Sequence, residues 1–310
     1  MTQSTRAVAA MASVAAGAAL AIWSTRNLRE SAHARASGKH VVAARSFNHG
    51  SALLALSVLA DSAMEHYRGS FENRAMYLPP AVALCALAAA LHGGADRRAA
   101  SHRLRHAIQL TSAATGVTGT AFHLYNVTKR PGGFSWHNAF YGAPAGAPFA
   151  LVLSGVLGAV AEQLRDEPGH DPRLFGMPAG KTLALVAGAG LLGTAAEAAL
   201  LHFRGAFQHP AMYAPVTIVP VSSALLAHAA LAPPRQAARA SVFARFWLRL
   251  TAALGFAGFG FHANGVARAQ GGWRNWSQNL FAGPPLPAPP AFSALALAGL
   301  AALRMRETER

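Results

Sequence analysis

The sequence predicts an all-α, polytopic integral membrane protein made of two tandem four-helix repeats and an additional N-terminal helix. Three observations support this prediction. The 310 residues are 53% hydrophobic and only 13% charged, unlike an ordinary soluble domain. The charges lie between apolar runs, and the two halves of the chain align with each other.

The first aligned pair of segments comprises residues 61–79, DSAMEHYRGSFENRAMYLP, and residues 197–215, EAALLHFRGAFQHPAMYAP. A carboxylate, His, an aromatic residue, Arg-Gly, Phe, Ala-Met-Tyr and Pro recur in register without a gap, at an offset of 136 residues. Self-similarity at a fixed offset is the signature of an internal duplication.

The second aligned pair begins at His123 and His262, at an offset of 139 residues. Each His is followed after eight residues by Gly-Gly and an aromatic residue, then by Trp, Asn, Phe, Gly and Pro. Each half is therefore predicted to contain two apolar helices that end in His and continue into a loop rich in Gly, Pro and aromatic residues.

The N-terminal apolar segment, residues 7–23, is just long enough to cross a bilayer. It also resembles a secretory signal core. The strongly basic residues that follow show no clear small-x-small cleavage site, which favours a retained helix.

Eight further spans follow, and the second and last are short, which indicates tilted helices or helices inside the bundle. The predicted organisation is an N-terminal helix and basic linker (1–45), a first repeat (46–168), a second repeat (178–305) and a basic tail (306–310). The spans are 48–67, 79–92, 106–125, 145–163, 181–202, 214–231, 245–263 and 289–303.

Lys and Arg gather in alternate loops, whereas the four loops after the motif histidines contain fewer cations. The positive-inside rule places the basic loops in the cytoplasm and the motif loops outside, in the periplasm if the membrane is a bacterial inner membrane. With nine spans the halves run parallel, related by an axis along the membrane normal.

The formal net charge of +15 lies in short blocks separated by apolar spans, which favours an anionic leaflet over nucleic acid as the partner. The single cysteine, Cys85, excludes a disulfide framework, a multi-cysteine metal centre and covalent c-type haem attachment.

Four histidines are predicted at the outer ends of helices: His66, His123, His202 and His262. A neutral imidazole there can ligate haem iron or another metal, or only bond a backbone carbonyl. Arg68 and Arg204 follow in the same Arg-Gly context, which suits a haem propionate or an anionic substrate, although Arg also reaches lipid headgroups.

His49 and His106 each precede a motif His by 17 residues, or about 25 Å along a helix. Such spacing is analogous to transmembrane b-type cytochromes with one haem towards each leaflet. However, a separation of 17 residues places the two histidines of each pair about 100° apart around the helix axis. In the second half, Leu185 and Arg245 occupy the positions aligned with His49 and His106. The inner pair is therefore also consistent with ordinary interfacial histidines.

Asp61 and Glu197 hold the same position, five residues before a motif His. Carboxylates inside a membrane are energetically costly and usually functional, so metal ligation, proton relay to a quinone and pairing with Arg are open roles. A protonated acid bonded to a neighbouring helix is the structural alternative. The loop aromatic residues form either an interfacial belt or a rigid lid over a cofactor.

These features favour a membrane electron-transfer subunit that binds b-type haem by bis-His ligation and exchanges electrons with quinone or a redox partner subunit at the outer face. One alternative is a non-haem iron or copper oxidoreductase whose four histidines and two acids converge on a lipophilic substrate. Another is a carrier or receptor for an anionic ligand at Arg68 and Arg204. Whether the protein is itself an enzyme stays open.

Overall fold

The computed structural model describes residues 38–166 and 172–306. The predicted N-terminal helix and most of the basic tail lie outside this range. The described chain is all-α, apart from a two-residue antiparallel pairing of β1 (Arg173–Leu174) with β2 (Met177–Pro178). Its helices are α1 Lys39–Arg68, α2 Leu78–Ala95, α3 Arg103–Thr128, α4 Trp136–Tyr141, α5 Gly146–Asp166, α6 Ala179–Arg204, α7 Tyr213–Leu231, α8 Pro234–Arg268, α9 Trp276–Ala282 and α10 Pro290–Arg306.

Five segments are long and apolar enough to cross a membrane by length and composition, which indicates an integral membrane protein. Each of the eight predicted spans in the described range overlaps a helix of at least 17 residues. Three of these helices, α1, α3 and α10, are not among the five candidate spans. The candidate spans are Arg74–Ala95, Gly146–Asp166, Ala179–Arg204, Pro210–Leu231 and Ala240–Arg268. Helix α10 has only 17 residues, and α1 and α3 contain more polar residues.

The helices pack in two groups with the same neighbour relations. In the first group, α1 and α3 each pack against α2 and α5, so that α1 and α3 occupy opposite corners. In the second group, α6 and α8 each pack against α7 and α10. The groups meet chiefly where α1 packs on α10. The short helix α10 is buried along most of its length, in the interior position that its predicted length allowed.

Close contacts at glycine bring α3 against α5 and α8 against α10. A Cβ atom at Gly116 would lie 2.6 Å from the backbone nitrogen of Val152, and one at Gly255 would lie 2.2 Å from Ser293 Oγ. Small residues at these crossings let the helix backbones approach closely, which is how helices associate in the absence of a hydrophobic driving force.

Aromatic rings also connect the two groups at the end where the motif histidines lie. Tyr67 of α1 stacks on Phe281 of α9, with ring centroids 5.0 Å apart. Phe203 of α6 meets Phe140 of α4 edge-on at 6.0 Å. Helices α4 and α9 therefore each contact a His-bearing helix of the other group.

At the opposite end, the first group contains a buried ionic network. Arg105 donates two hydrogen bonds to the carboxylate of Glu162, at 3.0 and 2.9 Å, and one to Asp96 at 2.7 Å. The side chain of Glu162 is fully buried. Burial by itself raises the pKa of Asp96, but hydrogen bonds from Arg98 and Arg105 and the charge of Arg105 hold that pKa below its ordinary value.

Arg165 completes this network by capping the end of α2. It donates to the carbonyl oxygens of Gly93 and Arg98, both at 2.6 Å, and to that of Asp96 at 3.1 Å. The last carbonyls of a helix have no partner within the helix, so these bonds satisfy groups that would otherwise be buried without one.

Arg306 caps α7 in the corresponding way, by donating to the carbonyl oxygens of Ala230 and Ala232 at 3.3 and 3.0 Å. Counted from Pro144 and Pro285, Arg306 aligns with Arg165. The acidic partners have no such counterpart, because buried apolar residues occupy the aligned positions: Leu303 for Glu162, Ala244 for Arg105 and Ala232 for Asp96.

Candidate functional site

Left-handed backbone conformations follow His66 and His202. Ser70 and Phe71 have φ angles of 53° and 49°, and Ala206 and Phe207 have 54° and 47°. Residues other than glycine rarely adopt positive φ, and such strain persists only where the surroundings enforce it. The turn is closed by a hydrogen bond from the Phe71 amide to the His66 carbonyl at 3.0 Å, and the same bond forms between Phe207 and His202.

This turn places an aromatic ring against each imidazole. Phe71 lies edge-on to His66 at 6.2 Å and stacks on Tyr77 at 4.2 Å. Phe207 lies edge-on to His202 at 6.1 Å and stacks on Tyr213 at 4.5 Å. Each of these two histidines therefore has an aromatic neighbour, and a lid over a cofactor stays a hypothesis.

Other loop aromatics face outward. Phe134 and Trp136 are 71% and 75% exposed, as expected of a belt at the membrane boundary.

All four motif histidines bond a loop carbonyl through Nδ1. His66 bonds Met76 at 2.5 Å, and His202 bonds Met212 at 2.8 Å. His123 bonds Pro144 at 2.6 Å and His262 bonds Pro285 at 2.7 Å. A carbonyl oxygen can only accept, so Nδ1 bears the proton and the neutral ring keeps a lone pair on Nε2. Proteins commonly fix metal-ligating histidines by such a bond.

The histidines form pairs within each helix group. His66 and His123 interact electrostatically, and so do His202 and His262. Helices α1 and α3 occupy opposite corners of the first group, as α6 and α8 do of the second, so the two histidines of each pair stand on diagonal helices. The sequence had left open whether the histidines pair within or between the halves.

Two asparagines, whose role the sequence did not reveal, shape the loops after His123 and His262. Asn138 donates to the carbonyl oxygens of Pro131 and Gly133 at 3.0 and 2.7 Å. Asn279 donates to those of Gln270 and Gly272 at 3.0 and 2.8 Å. Both side chains are buried. Their recurrence in the aligned loops was the available signal.

The two motif arginines differ in their surroundings. Arg68 is half-exposed and pairs with Glu65 at 2.8 Å. Arg204 lies over the ring of Phe140 at 5.0 Å, and its Nε is buried without a hydrogen-bond partner among the described residues. A buried donor of this kind is costly to leave unsatisfied, so Arg204 is the better placed of the two to receive an anionic group.

Asp61 and Glu197 approach each other across the boundary between the helix groups and interact electrostatically. Glu197 accepts a hydrogen bond from the backbone nitrogen of Gly146 at 3.1 Å. A Cβ atom at Gly146 would lie 1.3 Å from a Glu197 oxygen, so only glycine leaves room for this carboxylate. Arg204 also acts electrostatically on Glu197.

The inner histidines have separate surroundings. His49 is buried and bonds the backbone of Gly94. His106 is half-buried and interacts electrostatically with Asp166. A second haem site at His49 and His106 stays a prediction.

Within residues 38–166 and 172–306, no group of three or more His, Cys, Asp or Glu side chains is arranged to hold a metal ion.

Comparisons of the chain with protein-family models, with curated proteins and with solved structures find no match.

Proposed function

We propose that this protein is a membrane electron-transfer subunit with two b-type haem sites, one between His66 and His123 and the other between His202 and His262. The single observation that carries the proposal is the common orientation of the four imidazoles, each with Nδ1 on a loop carbonyl and Nε2 available for ligation. Haem, when bound by two histidines, supplies a one-electron carrier.

The protein's own residues fit this group in three respects. Each pair stands on diagonal helices, which leaves the other two helices to flank the site. Phe71 and Phe207 each place a ring edge-on to one motif imidazole, His66 and His202 respectively. The unsatisfied Nε of Arg204 suits a propionate, whereas Arg68 would have to exchange its pairing with Glu65 for that role.

The carboxylates of Asp61 and Glu197 suit proton exchange with a quinone. Quinone reduction consumes protons together with electrons, and this pair lies on the same helices as His66 and His202. We propose that the two carboxylates supply the protons.

The same proposal includes an internal duplication, with both His pairs facing the periplasm of a bacterial inner membrane. The duplication is supported by the matching carbonyl bonds, left-handed turns and arginine caps at aligned positions. The orientation is supported by the concentration of Lys and Arg in the loops at the opposite end.

A visible difference spectrum, reduced minus oxidised, of the detergent-purified full chain expressed with haem supplied tests this function. We expect a bis-His b-type spectrum and two haems per chain. His123→Ala should halve the haem content, because the second pair remains intact. A variant with both His123→Ala and His262→Ala should contain none.

His137→Ala is the matched control, because His137 is an exposed histidine on α4 outside both pairs. It should retain the full haem content. A wild-type protein that folds but binds no haem would overturn the proposal, and bound iron or copper without a Soret band would redirect it to the metalloenzyme alternative.

A further inference from the structure

Three arginines cluster at the end of the second helix group that lies opposite the motif histidines. Arg245 and Arg249 are four residues apart on α8 and so lie on one helix face. Arg304 lies on α10, which packs against α8. Among the described residues, Arg245 and Arg249 act electrostatically on Arg304.

Concentrated like charge is unfavourable in a low-dielectric setting and is relieved when an anion binds. Arg249 and Arg304 are exposed, which leaves them accessible to a ligand from outside the chain.

The position of the cluster indicates an amphiphilic ligand rather than a soluble ion. Arg245 and Arg249 lie in the first three turns of the candidate span Ala240–Arg268, which places them near one end of that span. Phe243 and Phe246 on the same turns are 68% and 61% exposed and offer apolar surface to those chains. Basic pockets between transmembrane helices are known to bind anionic headgroups.

We propose that Arg245, Arg249 and Arg304 form a binding site for the phosphate headgroup of an anionic phospholipid. The arginine guanidinium suits this ligand, because its fixed fork of donors matches phosphate oxygens. Arg306, whose guanidinium caps α7, fixes the end of α10 beside this site. The site is independent of the haem proposal.

Native mass spectrometry of the detergent-purified full chain, titrated with phosphatidylglycerol or phosphatidylcholine, tests the proposal. We expect the wild-type protein to bind phosphatidylglycerol more tightly than phosphatidylcholine. A variant with both Arg249→Gln and Arg304→Gln should bind phosphatidylglycerol about 25-fold more weakly, since each arginine contributes about fivefold. Arg249→Gln alone, at an exposed position on the helix surface, should lose about fivefold and serves if the double variant fails to fold.

The matched control is Arg274→Gln, an exposed arginine at the opposite end of the molecule, which should leave the affinity within about twofold. Equal binding of the two lipids by the wild-type protein would overturn the proposal, as would unchanged affinity in the Arg249→Gln variant. Inorganic phosphate that competes as strongly as the lipid would replace it with a site for a soluble anion.

Discussion

The end of α5 and the end of α10 perform the same structural task with different chemistry. Arg165 and Arg306 each cap the carbonyls of a neighbouring helix. Around Arg165 the fold adds a buried network of Arg105, Glu162 and Asp96, whereas the aligned positions near Arg306 are apolar. The cap is thus common to both groups and the ionic network is not.

The buried charges are therefore not required for the packing of four such helices. Buried ion pairs lose much of their Coulomb attraction to desolvation, so well-packed apolar residues often stabilise a fold equally well. Removing only one partner is a different matter, because it leaves the other charge buried and uncompensated. The contrast between these two changes can be measured.

Glu162→Leu should have the largest effect. It introduces the residue found at the aligned position, yet it removes the bidentate partner of Arg105 and the neighbour of Arg165. We expect the free energy of unfolding to fall by about 3–5 kcal/mol. Thermal or denaturant unfolding of the purified protein in detergent provides the measurement.

Glu65→Leu is the control for this prediction, because Glu65 pairs with Arg68 at an exposed site. Its loss should be about 1 kcal/mol or less. Equal losses in the two variants would show that the network contributes no more than a surface ion pair.

Close glycine contacts occur in both helix groups. Substitutions of these glycines should therefore have similar effects in the two groups, unlike substitutions in the ionic network. Gly116→Ala and Gly255→Ala each place a methyl group against the backbone of the facing helix. We expect each to lower the free energy of unfolding by about 1–3 kcal/mol through overpacking. The same unfolding assay measures both.

Gly260→Ala is the control on α8, because a Cβ atom there meets no heavy atom within 4 Å. It should raise stability by about 1 kcal/mol through helix propensity. If Gly116→Ala behaves like Gly260→Ala, the α3–α5 crossing is looser than the close contact described above.

The smallest effect is expected when the entire network is exchanged. A variant with Asp96→Ala, Arg105→Ala and Glu162→Leu carries the residues of the second group at all three positions. It should recover most of the loss caused by Glu162→Leu alone and unfold within about 1 kcal/mol of the wild-type protein. Additive losses would instead show that the network stabilises the first group beyond what apolar packing provides.

The pH dependence of the free energy of unfolding provides an independent test of the same triple substitution. The folded-state pKa of Asp96 is below its ordinary value, so its stabilisation is present above the unfolded-state pKa and is lost as pH falls through the folded-state pKa. Stability of the wild-type protein should therefore decline relative to the exchanged variant on acidification. A constant difference across that range would contradict a role for ionised Asp96.

The sequence predicted the long helices well, because apolar runs between basic blocks are strong signals. It underestimated their lengths: α1 begins at Lys39 and α8 at Pro234, before the predicted spans 48–67 and 245–263, because polar residues in these first turns lower the local hydropathy. Helices α4 and α9 were read as loops, since six or seven residues are too few to show a helical period.

Within the candidate site, the sequence identified the four histidines through the alignment of the two halves. It did not identify their carbonyl partners, because a bond such as His123 to Pro144 depends on how a whole loop folds back. The approach of Asp61 to Glu197 across the two groups is likewise a long-range result of packing. The different surroundings of Arg68 and Arg204 could not be read from their identical Arg-Gly context.

The exchange of rings between the groups has a consequence for assembly. Tyr67 packs on Phe281 and Phe203 packs on Phe140, so each group contacts the other through a short helix, α9 or α4. Separating the two groups would therefore break both ring contacts, so we expect the two halves of the chain to stabilise each other at this end of the molecule.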